Sequence, residues 1–458
     1  MTRFDFYAGR IRRLNYAPYA WHSSNLTYQH DLEALRAVWN YRKTQPLFPN
    51  MRWLHFVHQF NSWFDPHMFL GGGLIALSTQ WGDSDEPMTS LLPAVRRISP
   101  LLEELELGPG ERLVSEDSPT LSELVCGLDR LRTLSCGWRS LNARAILHIA
   151  SLPYLRALQL PNAAEDIIQS LSIPLPVLAF SSLQHLSMRV PSMPPCCALL
   201  SHIRPLHLKS ITLDCESLPS AWHTEQYFRT LENCCSQTNL NSIHLIHSWK
   251  VEEKHISTDV VLDAAVLAPL RSFKNLTRLE IGLVYSFDLD NASIMDMANA
   301  WPKLQQLQLG SPLGWKRISG ITLEGLVPLV ICCRDLEKLS ITVNALNPPT
   351  VKASGIGCSN TKITYLQLGD SIIENSIAVA NFLSVLFPNV TGIGGVWHYV
   401  AGGSFSDRER GHHKEWHHVS SHLERIRKQK GSSRLNREDS ESFRNSPSAF
   451  YASEIIPA

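Results

Sequence analysis

Residues Leu47 to Phe56 read LFPNMRWLHF, and the same first four letters return at Leu386 to Asn389 in LFPNVTGIGG. Each time a hydrophobic residue follows and the chain runs toward an expected strand. If the two are copies of one unit, the unit must also recur between them. The pattern to search for is apolar-x-x-apolar-x-apolar, as in Met51-Arg-Trp-Leu54-His-Phe56.

It recurs. Copies begin at Ile11, Met51, Leu102, Leu131, Leu155, Leu183, Leu208, Leu240, Leu276, Leu304, Leu336 and Ile363, with a degraded copy at Leu74 and a weak one at Val390. From Ile11 to Val390 the mean spacing is about 29 residues, at the long edge of the leucine-rich-repeat period. Three residues before the first apolar position stands a large apolar residue or Cys: Phe48, Leu128, Leu152, Phe180, Phe273, Trp301, Cys333, Phe387. Pro49, Pro153, Pro302 and Pro388 follow four of these, and proline there stops a helix and biases its predecessor toward extended geometry. LFPN therefore reads as the junction where a helix ends and the chain enters the next strand.

The expected fold class is α/β: a leucine-rich-repeat solenoid, or horseshoe, of about 13–14 irregular repeats. A parallel sheet would line the concave face and helices the convex face. The repeats are expected over residues 1–400, a capping helix over 401–430 and a disordered tail over 431–458. Helical stretches between strands include YQHDLEALRAVWNYRKT, DNASIMDMANAWP with Asp290 or Asn291 as N-cap, and IIENSIAVANFLSVLFP. In the capping segment Trp416, Val419, Leu423 and Ile426 form one apolar stripe. The Ser-, Arg- and Glu-rich composition after Gly431 suits disorder.

Lys plus Arg equals Asp plus Glu at 42 each, which argues against a nucleic-acid or anionic-membrane partner. No membrane span is expected: the charge-free stretch Ile167 to Met188 is broken by Pro174 and Pro176. The N-terminal MTRFDFYAGRIRRL has no apolar core segment, so no secretory signal is expected, and the cytoplasm or nucleus is the expected location. The ten cysteines, including the pairs Cys196-Cys197, Cys234-Cys235 and Cys332-Cys333, read as reduced core thiols rather than disulfides or zinc ligands. Sequons at Asn25, Asn275, Asn291 and Asn389 read as accidents of composition. An extracellular receptor of the same architecture would instead carry glycans there and disulfides among the cysteines.

No cofactor and no enzyme activity are expected. Gly71-Gly72-Gly73 precedes a strand and lacks the Gly-Lys-Ser/Thr of a phosphate loop, so it reads as a turn. The sharpest metal candidate is the His412–His422 cluster: His413 and His417, and His418 and His422, are spaced i,i+4. Glu415 is out of register for a hydrolytic H-E-x-x-H, and the bland reading is the solvated face of a capping helix.

The informative positions are the polar slots of the strands, because alternate side chains leave the core face. The slots just before and just after the second apolar residue give candidate partner-binding residues on the concave face: Trp53, His55, Glu104, His185, His244, Arg278, Glu280, Lys338 and Tyr365. This surface is mixed and mostly neutral-polar, with no continuous cationic groove. For Trp53 two readings stand side by side, a recognition anchor or partial burial against a neighbouring strand. Trp81 and Trp138 fall just past their strands, at the expected rim.

RFDFYAGRIRRLNY, the LEALRA…PLFPNMRWL block, the irregular repeats and HKEWHHVSSHLERI together resemble the F-box and leucine-rich-repeat proteins of basidiomycete fungi, over about residues 3–430. The resemblance implies an N-terminal F-box that docks onto the adaptor of a cullin-RING ubiquitin ligase, with repeats that hold the protein to be ubiquitinated. Here the likeness to the repeat domain already begins at Arg3, so the F-box is expected to be missing from this chain. The expected function is a protein-binding module of that type. The alternatives are a free-standing interaction scaffold or a metal-binding protein using the His cluster.

Overall fold

The computed structural model describes residues 2–16, 26–42, 46–58, 65–81, 86–108, 119–137, 139–161, 179–247, 260–312, 314–349, 357–395 and 407–444. It forms two compact units: residues 1–285 with 300–304, and 286–299 with 305–458. Every copy of the repeat has its strand, ten in the first unit and four in the second.

The strands of the first unit run from Arg13–Tyr16 and Trp53–His58 to Ser242–Ile246 and Arg278–Gly282. Those of the second are Gln306–Leu309, Lys338–Ser340, Tyr365–Gln367 and Gly392–Gly394. Within each unit neighbouring strands pair in parallel, and like positions face like positions: Trp53 opposite Ala76, Ser210 opposite Ser242, Leu339 opposite Leu366. The three apolar positions are the core, with Leu102, Leu105 and Leu107 at 0–1% exposure. Each such leucine contributes about 1.5–3 kcal/mol by leaving water.

One hydrogen-bond device fixes this register. The carbonyl just ahead of most strands accepts two backbone N–H groups from the next repeat. Arg12 O accepts from Arg52 and Trp53, Glu103 O from Arg132 and Thr133, and Gln305 O from Glu337 and Lys338. The step repeats along the first unit, where a slip would leave these N–H groups unpaired.

LFPN works as the junction the sequence suggests. The Phe48 and Phe387 carbonyls accept the N–H groups of Met51 and Val390, so each phenylalanine heads a tight turn into its strand. Both rings are buried, as are Leu128, Phe273, Trp301 and Cys333 at the same position. The Asn has its own task. Asn50 Nδ2 donates to Gly9 O (2.8 Å), Asn239 to Leu206 O (3.0 Å), Asn275 to Thr238 O (2.9 Å) and Asn389 to Thr361 O (2.8 Å). The acceptor is each time the residue two before the first apolar position of the preceding repeat. Two of the sequons owe their form to this: Thr277 and Thr391, two residues after Asn275 and Asn389, also donate to carbonyls of the preceding repeat (2.9 and 3.0 Å).

The connecting segments vary, which makes the repeats irregular. Some are full helices, such as Ala221–Cys234, capped by Ser220, or Ser376–Leu386, capped by Asn375. Others are single 3-10 turns, such as Pro66–Phe69, which the Gly71-Gly72-Gly73 turn joins to its strand. Asp290 caps Asn291–Ala300 as expected, its Oδ1 accepting the Ser293 N–H at 2.8 Å.

All ten cysteines are unbridged. Cys136, Cys196, Cys215, Cys234, Cys235 and Cys333 are buried, and burial pushes the Cys136, Cys215, Cys235 and Cys333 thiols up to about 12. Such thiols stay protonated and act as small hydrophobes.

The C-terminal region corrects one expectation. A single helix covers Asp407–Arg444, so helix continues past 430 into the stretch expected to be disordered. Residues 445–458 lie outside the described residues. Trp416, Val419 and Leu423 are buried against the helix Ser376–Leu386 and the segment after the strand Tyr365–Gln367, where Trp416 Nε1 donates to Ser371 O (2.8 Å). No described helix is long and apolar enough to cross a membrane.

Candidate functional site

Every strand begins on the slot just before its second apolar residue, so the polar slots form two files on the helix-free face of each unit. In the first unit one file runs Trp53, Ala76, Glu104, Thr133, Ala157, His185, Ser210, Ser242, Arg278. The strand spacing of about 4.8 Å lets neighbours in a file reach one another.

Several of them do. His55 Nδ1 lies 3.0 Å from Ser78 Oγ, Ser135 Oγ donates to Gln159 Oε1 (3.0 Å), and His185 Nδ1 lies 2.8 Å from Ser210 Oγ. A cleft of about 370 Å³ opens over Thr133, Ser135, Gln159, His185, Ser187 and Ser210. Burial, then the charges of Lys209 and Arg278, hold the His185 imidazole below its ordinary pKa.

One cluster has the atoms of a nucleophile, a base and an orienting acid. Ser242 Oγ lies 2.7 Å from His244 Nε2, and His244 Nδ1 lies 2.8 Å from Glu280 Oε2. Two facts separate it from a hydrolytic triad. Ser242 is 1% exposed, out of reach of a substrate. The strand's N–H groups are spent in the ladders to its two neighbours, leaving none to stabilise an oxyanion. The relay instead ties the Ser242, His244 and Glu280 side chains to one another.

The second unit is built differently. Gln306, Gln308, Lys338, Ser340, Tyr365 and Gln367 surround a cleft of about 730 Å³. Tyr365 is 49% exposed, and its ring lies across the next strand, where Gly392 and Gly394 make room: a Cβ at either would meet it. Gln367 Nε2 is buried and has no hydrogen-bond partner in the protein. Pro312 forms one wall, carried on a loop that Asp370 clamps. The Asp370 carboxylate accepts the N–H groups of Trp315 (2.8 Å) and Lys316 (2.7 Å) and the Thr342 hydroxyl (3.3 Å). Burial raises its pKa against the pull of those N–H donors. Gly314, at φ +84°, sits against this carboxylate, and only glycine fits there. Trp315, fully buried, donates from Nε1 to Leu309 O (2.8 Å) and packs on Phe287.

Of the nine sequence candidates, seven lie in the first unit, and Lys338 and Tyr365 meet in the second cleft. His244 and Glu280 are bonded to each other, and Trp53, half-buried, stacks on His55 of its own strand (5.8 Å). Glu104 and Arg278 are exposed, and Glu104 borders neither cleft. Trp138 lies outside the described residues. The candidate set omits Ser78, Gln159, Ser210 and Thr212, which the same slot rule picks out in the copies beginning at Leu74, Leu155 and Leu208. It also omits Pro312, which no repeat position encodes.

On the C-terminal helix, His413 and His417 meet at 2.9 Å between their Nε2 atoms, while His412 Nδ1 is tied to the Ile373 carbonyl oxygen (2.7 Å). Among the described residues no group of three or more His, Cys, Asp or Glu side chains is placed to hold a metal ion.

No family model matches the chain, and no curated protein does. Among solved structures it is similar to an internalin from Listeria monocytogenes, at 16% identity over 79% of this chain and 87% of that one, with TM-score 0.38. It is also similar to a chain of the Toll–Spatzle complex of Drosophila, at 13% identity over 77% of this chain and TM-score 0.30, spanning 54% of that chain. The leucine-rich-repeat fold itself follows from the repeat register and the parallel strand pairing.

Proposed function

We propose that this chain is a protein-recognition module that holds an extended segment of its partner on the helix-free face of the second unit. The observation that carries this reading is the cleft lined by Gln306, Gln308 and Gln367, with a buried Gln367 amide N–H lacking an acceptor. A buried donor without an acceptor is costly, and a peptide carbonyl supplies one. Tyr365, half exposed beside it, offers the broad, stiff contact that anchors interfaces. The chain is read as a binder, and the triad-like cluster of Ser242, His244 and Glu280 is sealed by the burial of Ser242.

The finer reading is a substrate-recognition subunit of a cullin-RING ubiquitin ligase, working in the cytoplasm or nucleus. Its support is the resemblance of the repeat blocks to F-box and leucine-rich-repeat proteins; an F-box on a longer form of the chain would supply the adaptor contact. The test is affinity purification of wild type and Tyr365→Ala from the native cells. A co-purifying protein lost from Tyr365→Ala identifies the partner of the cleft, and an unchanged set of partners sinks the cleft reading. Cullin and adaptor in both eluates support the ligase link. Their absence from both leaves a free-standing scaffold.

A further inference from the structure

On the C-terminal helix the side chains of His413 and His417 turn toward each other, with ring centroids 4.7 Å apart and Nε2 atoms 2.9 Å apart. The helix explains the meeting: residues four apart share a face, and their side chains lean over the same turn. Without a cation the contact is one N–H···N hydrogen bond, which requires opposite tautomers. If both rings take the Nδ1–H tautomer, each Nε2 offers a lone pair to the same point in space.

The separation is that of a hydrogen bond, and it also suits a shared ion. Metal–imidazole bonds are about 2.0–2.1 Å long, so nitrogens 2.9 Å apart subtend about 90° at a shared metal. Tetrahedral zinc would spread them to roughly 3.3–3.4 Å. A right angle is the cis angle of square-planar and octahedral sites, which Cu²⁺ and Ni²⁺ favour, and these ions also bind imidazole more tightly than the earlier divalent metals. The neighbouring histidines are otherwise placed, since His412 is bonded to Ile373 and His418 Nδ1 faces Glu415 at 3.7 Å.

We propose that His413 and His417 form a two-imidazole cis chelate for a divalent late transition ion of the Ni²⁺ and Cu²⁺ class, with water in the remaining positions. Binding pins one turn of the helix whose Trp416 and Val419 are buried in the second unit.

The experiment is a calorimetric Ni²⁺ titration of the untagged full chain with exposed thiols blocked, at pH 7.5 and 5.5. Expected is one Ni²⁺ per chain at pH 7.5, weakened at least tenfold in His413→Ala and in His417→Ala, and unchanged in His422→Ala. Binding should also weaken at least tenfold at pH 5.5, because both imidazoles must be neutral to ligate. Saturating Ni²⁺ should raise the Tm of wild type and leave that of His417→Ala where it was. No binding to wild type, equal binding to the two Ala variants, or loss of binding in His422→Ala overturns the site. Circular dichroism of each variant separates loss of a ligand from loss of the helix.

Discussion

The two helix-free faces carry the same repeat and the same slots, yet they treat their polar groups in opposite ways. In the first unit the slots hold short hydroxyls and imidazoles that reach one another: His55 with Ser78, His185 with Ser210, Ser242 with His244 and Glu280. Much of that face's polarity is paired within it, and its cleft is the smaller, about 370 Å³ against 730 Å³. In the second unit the slots hold longer amides, a lysine and a tyrosine, and a buried amide N–H is left over. Side-chain length explains much of the difference. Ser and His at the inter-strand distance close on each other, whereas a tyrosine spans to the next strand and lies over its glycines.

The largest effect should come from breaking the clamp that walls the second cleft. Asp370→Ala strands the Trp315 and Lys316 N–H groups and should destabilise the second unit by about 2–3 kcal/mol. Hydrogen exchange should quicken over residues 310–320 and stay as it was over 185–215. Protection lost equally in both segments would contradict a clamp confined to the second unit.

Next is the anchor. Tyr365→Ala should weaken partner binding by about 2 kcal/mol, roughly thirtyfold, as expected for an interface aromatic. His185→Ala, on the self-satisfied face, should cost threefold or less. Gly394→Val gives an independent route to the same loss, because its side chain would occupy the space of the Tyr365 ring and the Gln367 amide. A reversed order in surface-plasmon titrations would move the binding face to the first unit.

These contrasts separate what the sequence makes legible from what it hides. The strands, the junctions and the two files of slots follow from a period and an alternation, both of which are local. So does the apolar stripe Trp416, Val419, Leu423 and Ile426, of which the first three are buried and Ile426 is partly exposed. The task of the Asn of LFPN is not legible in the sequence, because its acceptor lies one repeat back: Gly9 for Asn50 and Thr361 for Asn389. Asp370 is invisible for the same reason, bonding to Trp315 and Lys316 more than fifty positions upstream. Ser210 and Gln159 are legible by the slot rule but sit in copies whose slots look unremarkable. Helix beyond residue 430 was hidden by a composition of Ser, Arg and Glu that suits solvent in either state.

A smaller effect tests the degraded third copy. Thr79 holds the slot filled elsewhere by a leucine or other apolar residue; it is fully buried, and its hydroxyl has no partner. Thr79→Val keeps the shape and removes the stranded hydroxyl, so it should stabilise the first unit by about 1 kcal/mol. A lower urea midpoint for this variant would show that the hydroxyl is satisfied in solution.

The smallest effect is a pH slope that should distinguish the two faces. Folding holds His185 below its ordinary pKa, first by burial and then through Lys209 and Arg278, so the folded chain binds that proton less readily than the unfolded one. The stability this contributes is complete above the unfolded value of about 6.5 and is lost as pH falls from there toward the folded value. His185→Gln removes the titration and should keep the hydrogen bond to Ser210, so its urea midpoint should fall less than that of wild type between pH 7 and 5. His247, also held low by burial, and His67, held high by Asp65, contribute to both proteins alike and cancel in the comparison. Parallel slopes would mean that His185 is as free to protonate as in the unfolded chain, and the first face would then be looser than its bonds suggest. Tyr365→Phe, on the face with no histidine in its cleft, should leave the slope between pH 7 and 5 untouched.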